Sequence, residues 1–159
     1  MPTLAINKRA LFDFEIKDKY EAGIVLKGYE VKSIKTGHIS LKGSFVTLKI
    51  NTDNPNKLPE LYLVNAHIPL YKFAGIVKSY DPTRSRKLLI HKLEINRLIG
   101  KKKTEGLTLV PLKVYTKKRL IKLQFGIGKG KKKYDKREDI KKKDIEKTMR
   151  TLTKSKLRD

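Results

Sequence analysis

Three cations lie within four residues at Arg84, Arg86 and Lys87, in the run Asp81-Pro82-Thr83-Arg84-Ser85-Arg86-Lys87-Leu88-Leu89-Ile90. Arginine offers a planar fork that suits phosphates and base edges, whereas lysine acts as a point charge, so this run can hold a nucleic-acid backbone. The same residues equally suit a solvated charged turn, with Asp81 as cap and Pro82 in first position. A second pattern follows later, where Lys131-Lys132-Lys133 runs directly into Tyr134-Asp135-Lys136-Arg137-Glu138-Asp139. An aromatic in a basic, flexible stretch can stack on an unpaired base, which is typically worth ~1–3 kcal/mol. It can also be an incidental tail tyrosine.

No catalytic constellation accompanies these cations. The glycine cluster Gly126-Ile127-Gly128-Lys129-Gly130-Lys131 has the wrong spacing for a phosphate loop and lacks the Ser or Thr that must follow the lysine. It reads as a flexible, Lys-rich exit from the last strand. His38, His67 and His91 are scattered, with no second ligand at metal spacing, and there is no Gly-x-Ser-x-Gly elbow. Cys is absent, which removes disulfides, thiolate zinc sites and cysteine nucleophiles. The expectation is a protein that is not an enzyme and takes no cofactor or metal.

The charge explains what such a chain could do instead. Its 159 residues carry 39 Lys+Arg against 16 Asp+Glu, a formal net charge of +23, and 35% of all residues are charged. So basic a surface disfavours acidic proteins and acidic small substrates as partners and favours polyanions, nucleic acid before an anionic membrane. No apolar run approaches the length of a bilayer span, and the N-terminus lacks the basic-then-apolar order of a secretory signal. A soluble, cytoplasmic and monomeric protein is expected.

The elements that must position these residues are mostly strands. Residues 1–128 form the body and 129–159 a basic tail, which holds 14 Lys+Arg against 6 Asp+Glu. Gly23 to Lys27 reads as a strand. Phe45–Ile50 and Leu61–Val64 read as a hairpin with an elongated loop, and Leu107–Tyr115 and Leu120–Phe125 as a second hairpin with Pro111 at an edge or bulge. Ile95, Leu98 and Ile99 give a helix over Lys92–Lys102, and a shorter one covers Tyr29–Lys35. Many short antiparallel strands with two or three flanking helices favour a small closed barrel. In the tail only Ile145, Met149 and Leu152 share a helical stripe, so the tail should be mostly disordered when free and helical only against a partner. A merely solubilising tail is the alternative.

Several blocks in order closely resemble the small protein B (SmpB) family, the SsrA-binding proteins. They are Asn7-Lys8-Arg9-Ala10, Tyr20 to Leu26, Glu30-Val31-Lys32-Ser33-Ile34, Asn65-Ala66-His67-Ile68, Asp81 to Leu89, Leu107 to Leu112 and Gly130 to Arg137. The resemblance implies an OB-type barrel and an RNA-binding adaptor of trans-translation. Such a protein binds the tRNA-like domain of transfer-messenger RNA, stands in for the missing anticodon arm and brings that RNA to stalled ribosomes, where the product is tagged for degradation and the ribosome released.

By the same resemblance Asn7, Lys8, Arg9, Glu21, Gly23 and Ile90 bind RNA, and Arg84, Arg86, Lys87, Lys129, Lys131 and Lys132 contact its backbone. Glu21 looks odd in a basic protein, but a carboxylate can accept hydrogen bonds from base amino groups or aim a neighbouring cation. Tyr134, Asp135, Lys136 and Arg137 match the block that engages the ribosome, with the tail along the decoding centre and message channel, against ribosomal RNA. Three segments depart from the family pattern: the long 51–60 loop, the turn at Thr116–Arg119 without Asn-Gly, which should be looser, and the tail beyond Arg150. A basic ribosomal structural protein would have a similar composition and is the competing reading.

Overall fold

The computed structural model of the chain describes residues 2–157, so Arg158 and Asp159 of the predicted tail lie outside it. In chain order the elements are β1 (Thr3–Ile6), α1 (Ala10–Asp13), β2 (Phe14–Ile24), α2 (Gly28–Lys35), β3 (Phe45–Lys49), β4 (Glu60–Val64), β5 (Arg86–Leu89), α3 (Lys92–Glu105), β6 (Thr108–Lys117), β7 (Leu120–Gly130) and α4 (Lys133–Lys156). The seven strands form one sheet in the order β1-β6-β7-β2-β5-β4-β3, with every pair antiparallel.

The expected closed barrel is corrected to an open, curled sheet. The outer strands β1 and β3 have only four and five residues, and no ladder joins them among the described residues. The sheet bends until β3 comes near β6, and its concave face is completed by Ile34 from α2, Leu41, and Ile95 and Leu98 from α3. These join Leu61, Leu63, Val114, Leu123, Phe125 and Ile127 in one core. Helices and a connecting segment thus cover apolar surface that strand closure would otherwise seal.

Alternation builds the strands. In β5, Arg86 and Leu88 point inward while Lys87 and Leu89 point outward. The two expected hairpins form, pairing β3 with β4 and β6 with β7. Pro111 lies at a break in the β6–β7 register, where a missing amide hydrogen does least harm. The turn after β6 is tight rather than loose: Lys118 and Arg119 connect the strands alone, both with left-handed backbones (φ 49° and 66°). That geometry matches the twist of a two-residue hairpin, although glycine or asparagine usually fills it.

The glycine cluster is not a flexible exit. Gly126 and Gly128 are buried in β7, paired with Lys19 and Ile16 of β2. A Cβ at Gly128 would lie 2.4 Å from the Glu15 carbonyl oxygen, so close strand approach excludes any side chain there. Strand β7 continues to Gly130, and α4 follows almost at once.

Within the tail, Lys133–Lys156 form a 24-residue helix, which corrects the expectation of disorder. Lys, Arg, Glu, Met and Leu favour helix, and Glu138→Lys142 and Glu146→Arg150 are set at the supporting i,i+4 spacing. Its first three turns are also fixed to the body and its exit. Lys136 lies 3.2 Å from Asp13, Lys131 pairs with Asp139, and the ammonium groups of Lys136 and Lys143 lie 5.9 and 5.7 Å from the Phe12 ring. None of the helix's own residues is buried.

Candidate nucleic-acid interface

The far end of β2 gathers three of the predicted RNA-binding residues. Glu21, Gly23 and Ile90 line one open groove of about 360 Å³ together with Leu89, His91, Glu94 and Lys122. The placement follows from register: Gly23 pairs with Leu89 of β5 and with Lys122 of β7, so the three strands meet here. Glu21 is the electrostatic centre. Lys122 donates to its carboxylate at 2.8 Å, Lys117 at 3.3 Å, and the Tyr115 hydroxyl donates to its other oxygen. The Lys122 and Tyr115 hydrogen bonds hold the Glu21 carboxyl down at about 2, and burial with the Glu21 bond pushes the Tyr115 phenol up to about 12. Glu21 therefore stays ionised and fixes two partly exposed lysines in one place. Gly23 has no internal need to be glycine, since a Cβ there would make ordinary contact with Leu89 at 3.6 Å. Its bareness leaves the groove floor open to a ligand.

The Arg84-Arg86-Lys87 strip behaves differently. Asp81 accepts from the Thr83 amide at 2.9 Å and makes the expected turn, but a strand follows it, and that strand points Arg86 into the protein. Arg86 is 0% exposed. Its guanidinium donates to Glu30 at 3.0 Å, to the carbonyls of Ala66, Arg84 and Pro82 at 2.9–3.0 Å, and to the Tyr80 hydroxyl at 3.3 Å. Glu30, equally buried, also takes both prongs of the Arg84 fork and the Lys27 amide. Burial pushes the Glu30 carboxyl up, but the Arg84 bonds, the Lys27 amide and the Arg86 charge outweigh it and hold it below the carboxylate range. The expected backbone contact by Arg86 is thereby corrected. Every direction its guanidinium can donate is used inside the protein, tying α2, β5 and two connections together. Arg84 keeps one partly exposed edge, and Lys87 pairs with Glu60 at 2.7 Å on the surface.

Asn7, Lys8 and Arg9 lie elsewhere, at the joint of β1 and α1. They line a groove of about 670 Å³ with Lys42, Gly43 and Ser44. The Asn7 amide donates to the Pro111 carbonyl at 3.0 Å, which fixes the joint, while Lys8 and Arg9 remain exposed and Arg9 lies 3.6 Å from Asp13. Strand β2 starts beside this groove and ends at Glu21 and Gly23, nine residues and roughly 30 Å away along the strand. The predicted contacts thus form two separate groups.

At the root of the tail, Lys129 and Lys132 are exposed and Lys131 is held by Asp139. Tyr134, 70% exposed, and Arg137 face outward, whereas Asp135 accepts from the Lys132 amide at 3.3 Å and Lys136 docks on Asp13. Half of that block therefore holds the helix start and half is presented.

Sequence reasoning missed Tyr115, Lys117 and Lys122, because no local spacing links them to Glu21; only the β2–β7 and β6–β7 registers do. It also missed Glu30 and Tyr80 as the partners of Arg86. Among the described residues no group of three or more His, Asp or Glu could hold a metal ion, and no helix is long and apolar enough to cross a membrane.

Comparison with known proteins adds an independent line. The model of the family described as SmpB protein matches residues 4–155. The SsrA-binding protein of Chloroflexus aggregans is 44% identical over 156 residues, covering 98% of this chain and 94% of that protein. The SsrA-binding protein of Anoxybacillus flavithermus is 49% identical over 143 residues, 90% of this chain and 87% of its own length. A chain from the solved structure described as "tmRNA-SmpB: a journey to the center of the bacterial ribosome" superposes with a TM-score of 0.62 at 45% identity, covering 81% of this chain and 85% of that one.

Proposed function

The chain belongs to the SmpB protein family, and from that premise we propose that it is a non-enzymatic SsrA-binding protein, acting with transfer-messenger RNA on the ribosome in trans-translation. The observation that carries the reading is the charge-ordered groove at the end of β2, where one permanently ionised carboxylate aims Lys117 and Lys122 beside the bare Gly23 and the apolar Leu89 and Ile90. Aligned ammonium groups suit phosphates, and the apolar floor suits a sugar or base face. Glu21 acts here through its lysines, as the aimer of cations rather than as a reader of bases.

The RNA face is the tRNA-like domain. Asn7 holds Lys8 and Arg9 in place for a second contact at the other end of β2, with Arg84 and Lys87 contributing from β5 and Lys129, Lys131 and Lys132 from the tail root. The body, 1–128, binds the transfer-messenger RNA in the cytoplasm as a monomer through its curled sheet, and the tail, 129–159, engages the decoding centre and message channel through Tyr134, Asp135, Lys136 and Arg137. Helix α4, already formed, needs only docking there, which lowers the ordering cost of binding.

The test is a reconstituted tagging reaction on ribosomes stalled at the end of a broken message. Adding the full chain with transfer-messenger RNA should restore peptide tagging. A chain ending before Tyr134 should bind the RNA with unchanged affinity and give no tagged product. Full tagging by the shortened chain would overturn the division of labour, and stoichiometric presence on every ribosome without transfer-messenger RNA would favour a ribosomal structural protein.

A further inference from the structure

The connection from β4 to β5 carries an exposed aromatic group that the two RNA grooves do not use. Phe73 is 77% exposed and Ile76 95% exposed, a large apolar display for a loop. The loop is nonetheless anchored. The Ser33 hydroxyl donates to the Pro69 carbonyl at 2.7 Å, the Tyr80 hydroxyl to the Ile68 carbonyl at 2.7 Å, and the Ala74 amide to the Tyr71 carbonyl at 2.9 Å. Tyr71 and Phe73 meet edge to face, with ring centroids 5.6 Å apart, beside a groove of about 310 Å³ that reaches His38 and Thr36 at the end of α2.

Lysines surround the rings. The Lys32 ammonium lies 5.8 Å from the Tyr71 ring and that of Lys72 5.7 Å from the Phe73 ring. Lys35 and Lys78 lie on the same two segments, and neither Val31–Ser44 nor Leu61–Tyr80 contains a single Asp or Glu. Of the acids that flank these segments, Glu30 is buried and neutralised by Arg84 and Arg86, Glu60 pairs with Lys87, and Asp81 is turned to the Thr83 amide of its own turn. An apolar protein surface would find no need for such one-sided charge, whereas an RNA strand offers a base to the ring and phosphates to the lysines.

We propose that Tyr71, Phe73, Lys32 and Lys72 form a stacking site for an unpaired RNA base, separate from the Glu21 and Asn7 grooves. Phe73 presents its open face to the base, Tyr71 braces it from the edge, and the two ammonium groups meet the flanking phosphates. The site goes beyond the proposed function, because it reads single-strandedness rather than the tRNA-like fold.

The test uses the full chain, a short single-stranded oligoadenylate and a blunt RNA duplex of equal length. Phe73→Ala removes mostly exposed surface and one contact with Tyr71, so the fold should hold. Its affinity for the single strand should fall roughly 5- to 150-fold, the loss expected for one stacked base, with duplex affinity unchanged. The chain has no tryptophan, so Phe73→Trp introduces a single reporter whose emission should be quenched by the oligoadenylate and not by the duplex. Unchanged single-strand affinity of Phe73→Ala, or unquenched Phe73→Trp emission at saturation, would overturn the site and leave the loop to a protein partner. If the unaltered chain binds neither RNA nor the tRNA-like domain, the RNA-binding reading itself fails, which is a distinct outcome.

Discussion

Two clusters in this protein have the same composition and opposite uses. Each consists of one glutamate, two cations and one tyrosine: Glu30 with Arg84, Arg86 and Tyr80, and Glu21 with Lys117, Lys122 and Tyr115. The first is buried at Glu30 and Arg86 and uses arginine, whose fork can satisfy carboxylate and carbonyls at once where water cannot reach. The second is half-exposed and uses lysine, whose ammonium keeps spare donors turned to solvent. Burial decides the role. Sealed charges such as Glu30 and Arg86 can only hold the fold, whereas open ones, the exposed edge of Arg84 included, stay ready for another charged molecule.

The contrast breaks if the two clusters respond alike to mutation. The largest expected effect is on the buried one: Arg86→Met leaves Glu30 under-compensated and should cost about 3–5 kcal/mol of unfolding free energy, read by urea denaturation. Replacing Glu30, Arg84 and Arg86 together by apolar residues of similar volume should cost much less than that single change, because no charge is then stranded. A cost for Arg86→Met below about 1 kcal/mol would place that cluster among ordinary surface pairs.

The open cluster should show the reverse pattern. Lys122→Gln should leave the unfolding midpoint nearly unchanged but weaken RNA binding and reduce the slope of log affinity against log salt by about 1, the signature of one lost phosphate contact. An unchanged slope would remove Lys122 from the interface.

The smallest effect is in pH. The Glu21 carboxyl is lowered from 4.5 to about 2, so its contribution is fully present above 4.5 and is lost as pH falls through 2. Glu21→Gln should therefore flatten the stability profile slightly within that window and leave it unaltered from pH 5 to 9. A matching change near neutrality would contradict the lysine-held carboxylate.

Much of this was legible in the chain, and the failures have physical causes. The hairpins of β3–β4 and β6–β7 and helix α3 stood out because β-branched runs and i, i+3, i+4 spacing are local signals. Strand β2 did alternate, Phe14, Ile16, Tyr20 and Ala22, but Asp18 takes the inward-facing position between them, beside a break in register, and hides the pattern. Strand β5 was hidden behind its charges, although the same period of two that buries Leu88 must also bury Arg86. The glycines of β7 looked flexible because the crowding that demands them comes from β2, more than a hundred residues earlier in the chain. The tail lacks an apolar face, but its helix propensity and its anchor on Asp13 and Phe12 matter more. Glu21 stood out through the family resemblance, but its lysines did not, since strand register alone unites them.

The central claim is that Glu21 serves RNA binding and not the fold, by aiming Lys117 and Lys122. The direct measurement is the equilibrium affinity of Glu21→Gln for the tRNA-like domain of transfer-messenger RNA, beside its urea midpoint. Loss of charged hydrogen bonds that order both lysines should weaken binding by about tenfold or more while stability changes by less than about 1 kcal/mol. Full affinity in a folded Glu21→Gln protein would contradict the account.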